Sequence, residues 1–157
     1  SYRAGQKALS GGMERKEGKA FEVFEHMADV GIRAWGETME EMLENAATGM
    51  FSLMADLDLL EEKAEKFIYV SAKEADDLLV AWLEELLYAG EAKGLIWKRA
   101  KVERLEMGWR IEGRACGDLI EDCREALLGE IKGVTLHQLE VSRKADGFWA
   151  CQVIFDV

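Results

Sequence analysis

Ala145-Asp146-Gly147-Phe148-Trp149-Ala150-Cys151-Gln152-Val153-Ile154-Phe155-Asp156-Val157 is the stretch whose reading decides the fold. Its Asp-Gly pair favours a tight reversal, so residues 148–157 run back along residues 130–143 as the second arm of a hairpin. Along the returning strand Trp149, Cys151, Val153, Phe155 and Val157 share one face, and Phe148, Ala150, Gln152, Ile154 and Asp156 share the other. Just upstream, residues 95–105 and 109–116 flank Glu106-Met107-Gly108 and read as another hairpin. The last third is therefore strand-rich and antiparallel. Between the hairpins, residues 117–129 suit either a short helix over 119–128 or an acidic loop.

Working toward the N-terminus, Glu65-Lys66-Phe67-Ile68-Tyr69-Val70 reads as a strand, and two helices flank it. The first opens at Thr38, with Glu41 three residues on in capping-box spacing. Met39, Met42, Leu43, Ala46, Ala47, Met50, Phe51 and Met54 then follow the spacing of one buried face. Methionines on such a stripe serve adaptable binding grooves or cores, and the core is the commoner use. The second helix is expected to open with a Ser71–Glu74 box, to bury Leu78, Leu79, Trp82, Leu83, Leu86 and Leu87, and to stop at Gly90. The expected fold is α+β: a mainly antiparallel sheet with two amphipathic helices packed on one face.

The chain has 157 residues, enough for one domain with a substantial core. Residues 1–12 are basic, glycine-containing and without period; they are expected to be a disordered leader or upstream extension, with residues 13–157 forming a single domain. The 31 acidic and 20 basic residues give a net charge of −11. This opposes direct phosphate-driven nucleic-acid binding and suits hard cations or a basic partner. Cys116, Cys123 and Cys151 form no CxxC pair and read as free thiols of a reducing compartment. No apolar run reaches the roughly 18 residues of a membrane span. The expected location is the cytoplasm.

Phosphate-loop, dinucleotide, HExxH, EF-hand and nucleophile-elbow signatures are absent. His26 and His137, each in an expected strand, read as hydrogen-bonded strand-end residues, and two histidines without a CxxC disfavour structural zinc. Asp56-Leu57-Asp58, followed by Glu61 and Glu62, reads as a solvated acidic turn. Asp29 remains. It sits in His26-Met27-Ala28-Asp29-Val30-Gly31, amid Phe21, Val23, Phe24, Ile32, Ala34 and Trp35. An isolated buried carboxylate is costly, so Asp29 either caps a turn or serves a metal or functional site. If the end of its strand meets that of the last one, Asp29, Asp156 and the Val157 carboxylate converge. Such a cluster calls for a neutralising cation or a raised pKa, and all-oxygen ligation selects calcium, magnesium or manganese.

His26-Met27-Ala28-Asp29-Val30-Gly31 resembles the His-Thr-Ala-Asp-Ile-Gly signature of archease proteins. The helix start Thr38-Met39-Glu40-Glu41, the helix Asp77-Leu78-Leu79-Val80-Ala81-Trp82-Leu83-Glu84-Glu85-Leu86-Leu87-Tyr88, the segment Glu130-Ile131-Lys132-Gly133-Val134-Thr135-Leu136-His137 and the end Val153-Ile154-Phe155-Asp156-Val157 are archease-like too, in the same order. Met27 replaces a common Thr, Leu136 a common Tyr, and residues 117–129 lack the family's proline-bearing pattern. No proposed ligand is lost, but the missing Thr hydroxyl touches the support of the site.

The resemblance implies a non-catalytic activator of the RtcB-class tRNA-splicing RNA ligase, which joins RNA ends through a guanylylated histidine and divalent metals. The activator would promote guanylylation and repeated turnover, and meet tRNA only through the ligase. It implies a calcium site on Asp29, Asp156 and the main-chain carboxylate of Val157. Two other classes compete: a chaperone-like modulator of a tRNA-modifying methyltransferase, and a small metal-dependent hydrolase of phosphate esters.

Overall fold

The computed structural model describes residues 13, 14 and 16–157, so the expectation for residues 1–12 lies outside the described residues. Among the described residues, eight strands and two α-helices follow one another: β1 (Phe21–His26), β2 (Asp29–Gly36), α1 (Met39–Met54), β3 (Ala64–Ser71), α2 (Ala75–Lys93), β4 (Leu95–Glu106), β5 (Arg110–Leu119), β6 (Gly133–Val134), β7 (Glu140–Arg143) and β8 (Trp149–Asp156). All pairing is antiparallel. The α+β class with two helices and antiparallel strands is as the pattern predicts. The strands divide, however, between a five-stranded sheet ordered β1-β2-β8-β6, with β7 also on β8, and a three-stranded sheet ordered β3-β5-β4.

The core lies between these sheets and the helices. On α1, Met42, Leu43, Ala46, Ala47 and Met50 are fully buried, so Met39, Met42 and Met50 of the stripe are core, while Met54 at its end is half-buried. The close fit of α1 on the first sheet shows at Gly49, where an added Cβ would lie 3.1 Å from both Ile32 and Phe21. On its other side α1 meets β4: Glu44 accepts the Val102 N–H at 2.8 Å. The Trp82 indole of α2 donates to Leu43 O at 3.0 Å, and Trp97 of β4 donates to Leu86 O at 2.8 Å. Both buried indole N–H groups are thus satisfied, as burial of a polar donor requires.

Thr38 caps α1, its Oγ accepting the Glu41 N–H at 3.1 Å. Glu41 reaches one residue farther back than a capping box would, to the Glu37 N–H at 2.6 Å. The second helix departs more from its expected bounds. Ser71 belongs to β3, Glu74 is the N-cap with no side-chain cap bond, and the helix continues through Gly90 to Lys93. Gly94, at φ 67°, ends it in the left-handed conformation that favours glycine. Gly90 is inside the helix for packing: a Cβ there would stand 2.9 Å from Leu95 O and 3.1 Å from the Trp97 indole nitrogen.

The hairpin of β4 and β5 forms as expected. At Asp146-Gly147 the chain also reverses, with Gly147 at φ 86° and the Asp146 carboxylate accepting the Phe148 N–H at 2.9 Å. Its first arm is broken: residues 130–143 hold only the short β6 and β7, separated by a turn that carries His137 out of any strand. Residues 117–129 form neither an α-helix nor a bare loop. Two 3₁₀ turns, Ile120–Asp122 and Arg124–Ala126, bury Cys123 and Ala126 against Ala55, Leu60 and Ile96. All three cysteines are free and buried. Among the described residues, no helix is long and apolar enough to cross a membrane.

Candidate metal centre

The first hairpin closes on the His26–Asp29 pair, leaving Met27-Ala28 as a two-residue turn. Met27 is 93% exposed and adopts φ 56°, a region that such turns demand and that non-glycine residues seldom occupy. Asp29 is therefore the first residue of β2, half-buried, directly across from His26.

β2 is also paired on its other side. Its register with β8 runs from Gly36–Trp149 to Val30–Phe155; the pairing stops there, and Asp29 and Asp156 are the next residue of each strand. Cross-strand partners share a sheet face and successive residues alternate, so His26, Asp29 and Asp156 stand on the same face. The backbone of Asp156 is held from the far side, where it pairs with Gly133 and its carbonyl accepts the Lys132 N–H at 2.7 Å. Asp156 and Val157 are exposed. Among the described residues, no hydrogen bond or ion pair occupies either aspartate side chain.

The same face carries a chain of polar contacts leading to this edge. Lys16 Nζ meets Glu22 at 2.8 Å, and Arg33 donates to Glu22 at 3.1 Å and to Gln152 at 2.9 Å. Partial burial pushes the Glu22 carboxyl up, but the hydrogen bonds and charges of Lys16 and Arg33 outweigh it and hold the group below its ordinary value. Gln152 donates to Gln138 O at 3.0 Å, and Gln138 Nε2 lies 3.4 Å from His26 Nε2. The Arg33 guanidinium sits 4.0 Å from the centre of the Phe24 ring; that ring in turn covers Gly31, where a Cβ would collide with it. His26 is a hydrogen-bonded strand-end residue, as its sequence context suggests. His137 instead lies exposed in the β6–β7 turn, its N–H donating to Thr135 Oγ1 at 3.3 Å.

Of the expected site residues, Asp29 and Asp156 come together at one sheet edge, with Val157 next in the chain. Among the described residues, no group of three or more His, Cys, Asp or Glu is placed to hold a metal ion. A cation here would need main-chain or terminal oxygens beside the two carboxylates. The two carboxylates are oxygen donors of like charge, with no protein cation on them among the described residues, which suits a hard cation; the His26 ring across from Asp29 is the neighbouring nitrogen. Gln138 and His26 are the neighbours that sequence reading did not attach to this edge. Two residues between His26 and Asp29 is the hairpin spacing that signals the first; nothing local signals Gln138.

Residues 21–157 match the model of the family described as "Archease protein family (MTH1598/TM1083)". The chain belongs to the archease family. "Protein archease" of Thermococcus gammatolerans is 32% identical over 141 residues, which is 88% of this chain and 99% of that protein. "Protein archease" of Methanosarcina mazei is 35% identical over 144 residues, 90% of this chain and 98% of that protein. The solution structure of Methanobacterium thermoautotrophicum protein 1598 superposes with a TM-score of 0.74 at 32% identity, covering 88% of this chain and 99% of that one. The archease-family match thus contains β1 to β8, α1, α2 and the ends of β2 and β8 that carry Asp29 and Asp156.

Proposed function

We propose that this archease-family chain is a non-catalytic activator of an RtcB-class tRNA-splicing RNA ligase, working in the cytoplasm and meeting tRNA only through that enzyme. Asp29, Asp156 and the Val157 main-chain carboxylate would hold calcium, or magnesium or manganese, at an acidic tip offered to the ligase's basic, metal-containing active site. The observation that supports the reading is the β2–β8 register, which leads to two carboxylates, one at each strand end, that have no partner among the described residues.

When bound, the cation supplies concentrated positive charge at a tip that is otherwise repulsive to itself. The chain's own residues supply position. The Lys132 N–H fixes the Asp156 backbone, and the Gln152–Gln138–His26 contacts brace the neighbouring strand ends. The net charge of −11 favours approach to a basic surface.

The test is guanylylation of the cognate ligase with and without the protein. Wild-type chain should accelerate it, and folded Asp29→Ala should lose most of the acceleration. Full stimulation by Asp29→Ala removes the tip from the mechanism; no stimulation by wild type removes the ligase role.

A further inference from the structure

Away from the aspartate pair, a half-open cavity of about 490 Å³ lies where the C-terminal ends of α1 and α2 meet the start of β4 and residues 127–132. Its volume is that of a ligand pocket. The floor is apolar, formed by Phe51, Met54, Leu87, Ile96, Trp97 and Ile131. Charge at its mouth is mostly negative: Glu91 and Glu130 line it, against Lys132. The last turns of both helices line it, and a helix C-terminus carries partial negative charge, part of it answered at α1 by the Leu128 N–H on Met54 O. The last turn of α1 carries no basic side chain, and that of α2 carries only Lys93. An anion is disfavoured, and a purely apolar occupant would leave the charged mouth unanswered.

The geometry points to this cavity as the seat of a basic amphipathic segment of the partner protein, with an apolar side chain on the floor and flanking Lys or Arg at Glu91, Glu130 and the helix C-termini. Charge complementarity selects this occupant over a second copy of the chain, because two molecules of net charge −11 repel. The cavity is also joined to the aspartate edge. Its wall runs through Ile131 and Lys132 into β6, and Lys132 holds Asp156 through its N–H. A seated segment would therefore steady the strand that presents Asp156. This rests on the reading that the chain serves another enzyme.

Amide NMR titration of the full chain tests it, using a short peptide of Leu, Ile, Lys and Arg and a counterpart with Glu at every basic position. The basic peptide should shift Gly90, Gly129 and Ile131 saturably. The Glu91→Lys/Glu130→Lys variant, altered only at exposed side chains, should bind it about tenfold more weakly. Absence of saturable shifts there, equal binding of the acidic counterpart, or shifts that grow with protein concentration alone would overturn the proposal. With the cognate ligase, the same double variant should bind about tenfold more weakly at unchanged calcium affinity; undiminished binding would also overturn it. A ligase that ignores even the wild type defeats the activator reading, and the peptide result then decides the cavity by itself.

Discussion

Asp118, near the end of β5, accepts N–H bonds from Glu61 at 2.9 Å and Leu119 at 2.8 Å, and lies 3.6 Å from Lys63 Nζ. Asp29 and Asp156, at the facing ends of β2 and β8, have no such partners among the described residues. Asp118 is only 2% exposed, while Asp156 is open to water. The first carboxylate is consumed by the fold, pinning the segment before β3 to the end of β5. The other two are spared by it. Under the proposed function, it is a ligand rather than the protein that completes the electrostatics of this pair of like charges on adjacent strands.

Backbone crowding gives the sharpest contrast between the two regions. Beside Asp118, a Cβ on Gly117 would collide with Ile96 O and come within 2.8 Å of Trp97 Cα, so backbone would have to move. Gly117→Ala should cost about 3 kcal/mol in urea unfolding. At the aspartate edge, Gly133 pairs with Asp156, yet its Cβ would meet nothing within 4 Å. Gly133→Ala should stay within about 0.5 kcal/mol of wild type. Equal costs would break the comparison.

A smaller effect comes from pH. The Glu61 N–H, then the Leu119 N–H and the Lys63 charge, hold Asp118 below its ordinary carboxylate value against the opposing effect of burial. A depressed folded value means stability that is present above the unfolded pKa of about 3.9 and lost as pH falls through the folded one. Asp118→Asn should therefore melt below wild type at neutral pH, and the gap should close in acid. A gap independent of pH would show that shape, not charge, holds the segment.

The smallest expected effect has the opposite sign. Without divalent cations, Asp29→Asn removes a like charge from beside Asp156. It should leave the melting temperature unchanged or raise it by up to about 2 °C. A clear fall would mean that the Asp29 carboxylate serves the fold, and that the turn-capping reading is the right one.

Local chemistry made much of this legible. Thr38 with Glu41 marks the start of α1, and Asp146-Gly147 marks the last reversal. Where the sequence misled, tertiary contact had overridden a local signal. Gly90 resembles a helix stop because it is glycine, but it is there to admit Trp97. Ser71 and Glu74 have the spacing of a cap while Ser71 is spoken for by β3. The reversal at Met27-Ala28 carries no glycine or asparagine to announce it. Residues 130–143 have strand composition, but two short segments share one side of β8. The candidate site was half legible: Asp29 stood out as an acid among apolar residues, and Asp156 by its place at the chain's end. Their meeting depends on β2 pairing with β8 across more than a hundred residues, a register no local pattern encodes.

The central claim, that Asp29 and Asp156 act as one unit, is tested most directly by calorimetric titration of calcium into wild type, Asp29→Ala, Asp156→Ala and the double variant. Two donors of one site predict that each single change weakens binding at least about tenfold and that the double variant loses much less than the sum of the two. Undiminished calcium binding by both single variants would contradict the account.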